Sequence, residues 1–269
     1  MFVRALKAYG SVARSQIRTI THFRPNLIAW IVYSPLQLGT LYLLWTIVYE
    51  RTPSLGGLSF SAMMQYYVVV HFLRKVIEPV QTVNYEVWSE INQGKLDIYL
   101  ARPINFGLFT FAKSLGVPFM ELCIGIPLLL GFSLLMRLPL QSDPGVLAAF
   151  ALSVAGGYGI LFLIQFAIGT LTFWMERIFG IRDVIFSIFM LFSGQLLPVS
   201  LLPGWVQQAS HLMPFEGIYY APARIYASPS VDAGVAALLA QQAGWLIALS
   251  LGASLLWARG INRYASQGG

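Results

Sequence analysis

Residues 90–103 read EINQGKLDIYLARP. Glu90, Lys95, Asp97 and Arg102 spread charge through the stretch, while long tracts on either side carry almost none. Gly94 offers a helix stop, because glycine tolerates the positive φ of a C-terminal cap. A short helix restarts over Asp97, Ile98, Tyr99 and Leu100, with Asp97 near its positive end. Pro103 closes it. The pattern predicts a short, charged, amphipathic element slung between two membrane helices, a natural place to dock a soluble partner. An ordinary solvated loop is the competing reading.

The composition sets the surroundings of that element. The 269 residues are 57% hydrophobic and 10% charged, with a mean hydropathy of +0.67. A soluble domain carries about 25% charged residues, so the chain reads as an all-α polytopic membrane protein, a single transmembrane domain over 1–269. The net charge of +6 is not pooled into a patch for nucleic acid. Arg4, Lys7, Arg14, Arg18 and Arg24 precede the first long apolar run with no acid among them, which predicts a cytoplasmic N-terminus. The apolar stretch starts too late and runs too long for a secretory signal. Residues 1–25 alternate basic and apolar at helical spacing, as an interfacial helix does, with its basic face toward anionic headgroups. A basic tail that only sets topology is the simpler alternative. Cys123, the single cysteine, is read as inert packing.

Working outward, six spans are predicted, at 26–49, 59–80, 115–136, 146–175, 184–202 and 233–257. The second span loses its apolar character at Leu73, so its helix is expected to run on into the cytoplasm toward Glu90. Lys113 snorkels to the inner surface. Gly156, Gly157, Gly159 and Gly169 allow close helix packing in the fourth span. Residues 203–229, rich in proline and aromatic side chains, read as short helices lying in the outer interface or re-entering it. Both termini then lie inside, with Arg51, Arg137 and Arg224 in the outer loops.

Glu121 lies within the third span, where an intramembrane carboxylate is either functional or paired with a neighbouring cation. His71 at the boundary of the second span is most simply a hydrogen-bonded structural residue. There is no phosphate-binding loop, no H-E-x-x-H, no metal-spaced Cys/His cluster and no G-x-S-x-G elbow. Nucleotide hydrolysis is therefore not expected of this chain, and an intramembrane enzyme, whose site would assemble from separate helices, is the most remote reading. A transporter so built needs an outside motor.

The segment at 90–103 resembles the corresponding segment of the type-2 ABC exporter permeases, in Gly94, Leu96, Asp97, Leu100, Arg102 and Pro103. The six-span layout, the basic N-terminal helix and the broken outer helices agree with it. The resemblance implies a permease that dimerises, a heterodimer with a sister permease being favoured over a homodimer. It also implies two separate ATP-binding cassette subunits that carry the ATP and Mg, with no cofactor in this chain. It places the protein in the bacterial inner membrane. Residues 90–103 would be the coupling helix and 1–25 the connecting helix. Glu90, Lys95, Asp97 and Arg102 would make polar contacts to the motor, and Leu96, Tyr99 and Leu100 the apolar anchor. Phe60, Tyr66, Tyr67, Phe192 and Glu121 are candidates for lining a path between the first, second and fifth spans. The substrate would be amphiphilic, a lipid, drug or glycan. A non-transporting membrane scaffold that docks a cytoplasmic partner is the alternative.

Overall fold

The computed structural model describes residues 24–101 and 104–266. Eleven α-helices follow in order among them: α1 Arg24–Tyr49, α2 Phe60–Ile77, α3 Val83–Asn92, α4 Leu96–Leu100, α5 Phe106–Ser114, α6 Gly116–Leu135, α7 Pro144–Thr170, α8 Phe179–Phe192, α9 Gly204–His211, α10 Tyr220–Tyr226 and α11 Ala233–Ser266. The basic N-terminal residues Arg4, Lys7, Arg14 and Arg18 lie outside the described residues, as do Arg102 and Pro103.

Three described helices have the length and apolarity to cross a bilayer: Phe106–Leu135, Pro144–Phe173 and Ala233–Tyr264. The first of these begins nine residues before the expected 115. α5 and α6 run nearly end to end and are interrupted only at Leu115. Pro118 explains that break, since it cannot donate the amide hydrogen bond that Ser114 would accept. The other expected spans depart further. The helix expected over 59–80 ends at Ile77 and gives way to a 3₁₀ turn, Glu78–Thr82, around Pro79. The span expected over 184–202 is α8, which starts earlier and stops at Phe192. Its 14 residues reach about 21 Å, short of a hydrocarbon core of about 30 Å. Gly194, at φ +79°, and Pro198 then turn the chain away from helix.

α2 and α7 form the centre. α2 carries Met63, Met64, Leu73 and Ile77, all inaccessible, and packs against α1, α6 and α10. α7 is the hub for α3, α10 and α11. The expected small-residue packing is visible at Gly157, where a side-chain carbon would sit 2.8 Å from the carbonyl oxygen of Ile218 and 2.9 Å from that of Gly217. Gly169 lets α3 approach in the same way, at Val87 and the Asn84 carbonyl.

This changes the reading of α3. It does not project freely beyond the bundle. Val83, Asn84, Val87 and Ile91 are buried against α7, and the Asn84 amide donates to Gln165 Oε1. The 203–229 stretch is a series of short helices packed into the bundle: Ile218, Tyr219 and Ile225 are fully buried. Gln242 of α11 donates to the carbonyls of Ser153 (2.9 Å) and Gly217 (2.7 Å), tying the 214–217 turn to two helices at once. Cys123 is a free thiol on an exposed face of α6 rather than core packing.

Candidate functional site

α3 ends in a Schellman motif. The Lys95 amide donates to the Glu90 carbonyl at 3.0 Å and the Gly94 amide to the Ile91 carbonyl at 3.2 Å. Gly94 takes φ +66° at the left-handed position, where a side chain would add strain. The chain thus turns sharply and restarts as α4, one residue earlier than its composition suggests.

The turn sorts the site residues. Leu96 is fully buried and joins the main core, so it roots the element and is not available as a contact anchor. Ile98, which sequence reasoning passed over, is 55% exposed and Leu100 is 46% exposed. These two are the apolar surface that α4 offers. Gly94, Lys95 and Asp97 are exposed, and Glu90 is half-buried. Tyr99 is half-buried, edge-on to Phe106 with centroids 5.1 Å apart and tilted against Phe109 at 5.3 Å. Burial, and then the neighbouring Glu90 carboxylate, push its phenol above the ordinary range.

The element is braced from three sides. Asp97 lies beside the phenol of Tyr264 near the end of α11. Lys113, expected to snorkel, pairs its Nζ with Glu86 Oε2 at 3.0 Å. Trp88 Nε1 donates to the Glu176 carbonyl at 3.0 Å and its ring packs on Phe179 at 5.5 Å. The 176–179 turn therefore sits at the same end of the bundle as α4. Tyr85 stacks on Trp88 at 5.3 Å and is itself exposed. An aromatic chain leads inward from here. Phe106 stacks on Trp257 at 4.9 Å with planes 7° apart, and Trp257 also meets Phe166 and Phe173.

The candidate path residues behave differently. Tyr66 and Tyr67 are buried, and their hydroxyls donate to the carbonyls of Gly194 (2.5 Å) and Leu196 (3.0 Å). They hold the segment after α8 in place. Phe60 sits edge-on between Tyr42 and Tyr49. Phe192 is half-buried at the end of α8. Glu121 is nearly buried and belongs to a separate group: its charge acts on Lys75 of α2, whose Nζ lies 5.1 Å from the ring centre of Tyr33. His71 is buried in α2 beside this group.

Among the described residues no group of three or more His, Cys, Asp or Glu side chains is placed to hold a metal ion. The arrangement at the α3–α4 end offers a protruding, rooted surface with apolar and charged tips, which is suited to protein contact. None of the curated proteins matches the chain. The profile of the ABC-2 family transporter proteins matches residues 36–268, and family membership implies an ATP-binding cassette partner. The chain belongs to the ABC-2 transporter family and is a multi-pass membrane permease subunit of an ABC transporter.

Proposed function

We propose that this chain couples ATP hydrolysis on separate cassette subunits to export of an amphiphilic substrate. The observation that carries this reading is the α3–α4 turn. Leu96 anchors it in the core while Ile98 and Leu100 stand out at its tip. A push on the tip reaches α7 through the buried face of α3. It reaches α11 through Asp97–Tyr264 and the Phe106–Trp257 stack. Exposed Ile98 and Leu100 supply the apolar contact, as interface anchors do. Lys95, Asp97 and Arg102 supply charge-assisted contacts. The permease works as half of a dimer in the bacterial inner membrane, with six spans and both termini cytoplasmic. A sister permease, two ATP-binding subunits and their ATP and Mg complete it.

The decisive variant is Leu100→Asp with Arg102→Glu. It is expected to abolish substrate-linked ATP hydrolysis and transport while the purified chain keeps its helicity and thermal transition. Full transport in that variant sinks the coupling assignment. If the purified, folded chain brings down no ATPase, the scaffold alternative takes over.

A further inference from the structure

α6 leans on α2 and stands away from α7. The gap is a cleft of about 610 Å³, within the range of small-molecule sites of about 300–1,000 Å³. Its walls include Phe72, Leu122, Ile126, Leu130, Ala151 and Ala155, almost all apolar. Its few polar groups are spent on protein. The Tyr158 hydroxyl donates to Ser114, and the Gln141 amide donates to the carbonyls of Tyr226 and Ser228. Water needs two to four polar partners to occupy such a space, so the cleft does not suit water. α6 and α7 belong to bilayer-crossing segments, and the cleft opens between the exposed Ile126, Leu130 and Leu147, continuous with the lipid-facing surface. From Leu147 to Tyr158 it follows α7 for about 17 Å, about half of a hydrocarbon core of about 30 Å.

A second observation lies close to the cleft in the chain. α6 closes with the same hydrogen bonds as α3: Leu138 N to Ser133 O at 2.8 Å and Arg137 N to Leu134 O at 3.1 Å. Here the left-handed residue is Arg137, at φ +53°, the sole non-glycine with positive φ among the described residues. Glycine would sit there without strain, so the backbone gives no reason for arginine. Its exposed guanidinium lies three residues before Leu140, which lines the cleft. A guanidinium is a strong phosphate ligand.

We propose that this cleft is a binding site for one phospholipid of the surrounding bilayer, its acyl chain between α6 and α7 and its phosphate at Arg137. The inference is independent of the export reading. It is tested on the full chain in nanodiscs containing a phosphatidylethanolamine with a photoactivatable diazirine on its acyl chain. Labelling is expected to concentrate on peptides of α6 and α7. It is expected to fall several-fold in Ala151→Trp/Ala155→Trp or the milder Ala155→Phe, and to be unchanged in Ile247→Trp, on the exposed side of α11. Arg137→Gly is expected to raise the thermal transition by relieving the left-handed strain, yet to lower the amount of phospholipid retained after detergent exchange. Even labelling over α1, α6, α7 and α11, undiminished labelling in both filled variants, or full lipid retention in Arg137→Gly overturns the proposal. So does a Leu130→Cys disulfide between copies, which would put a second chain in the cleft.

Discussion

Oε2 of Glu216 lies 2.7 Å from Nδ1 of His211, yet the carboxylate is wholly buried while the imidazole is 57% exposed. Oε1 of Glu216 has no hydrogen-bond partner among the described residues. The imidazole therefore covers a buried carboxylate in the 214–217 turn, and Gln241 of α11 donates to the His211 carbonyl at 2.9 Å. Removing the imidazole uncovers the carboxylate without supplying a partner. His211→Ala is expected to destabilise the fold by about 1–3 kcal/mol. Adding Glu216→Leu to it is expected to recover part of that loss, because the uncompensated group is gone. Thermal unfolding of the single and double variants in one detergent, read as a double-mutant cycle, checks this. Strict additivity rules out the pairing.

The neighbours Leu96 and Ile98 separate root from tip in α4. Leu96→Ala removes a fully buried side chain and is expected to cost about 2–5 kcal/mol. Ile98→Asp changes an exposed tip and is expected to shift stability by no more than about 0.5 kcal/mol, while weakening retention of the ATP-binding partner. Comparing melting temperature with co-purified ATPase in the two variants distinguishes the roles. Equal effects on both readouts would contradict the division.

Tyr66 is expected to matter as a strut. Tyr66→Phe leaves the buried Gly194 carbonyl without its donor and is predicted to cost about 1–3 kcal/mol. Hydrogen exchange of residues 193–198 should quicken in that variant. The Tyr67→Phe variant should loosen the same segment through Leu196.

Gly157 tests how closely the 217–218 backbone packs on α7. Gly157→Ala drives a methyl against backbone oxygens, which cannot rotate away. It is expected to cost about 1–3 kcal/mol. Gly180→Ala, with open space around it, is expected to be silent. Parallel melting curves of the two variants settle the comparison.

Trp257 closes the aromatic chain between α4 and α11. Trp257→Ala empties the space between Phe106, Phe166 and Phe173 and is expected to cost about 3–5 kcal/mol. Trp257→Phe should recover most of the stability. If α11 also transmits motion from the tip, that variant should still show reduced coupling of ATPase to transport, measurable in proteoliposomes.

Much of this was legible in the residues alone. Low charge and long apolar runs, local and additive properties, imply a helical membrane protein. The stop at Gly94 and a restart at Asp97 follow from backbone rules spanning a few residues, and the structure has the stop and a restart one residue earlier, at Leu96. The proline- and aromatic-rich 203–229 stretch was legible as broken helix. Other features were not. α8 keeps an apolar sequence well past Phe192, so its early end is hidden until the Tyr66 and Tyr67 hydroxyls are seen donating to the carbonyls of the departing chain. Leu96 and Leu100 are the same residue type four positions apart. Which one is buried depends on the face that α3 presents to α7.

By itself, then, the sequence determined the membrane class, the helical content, the position of the charged turn and the resemblance to a permease family, because hydropathy and turn chemistry act over short range. Tertiary structure alone decided which aromatics are struts, which leucine roots the turn, that Glu121 sits with Lys75, and that α6 leaves a cleft beside α7. Those outcomes depend on side chains far apart in the chain competing for the same space, and no local pattern records who wins.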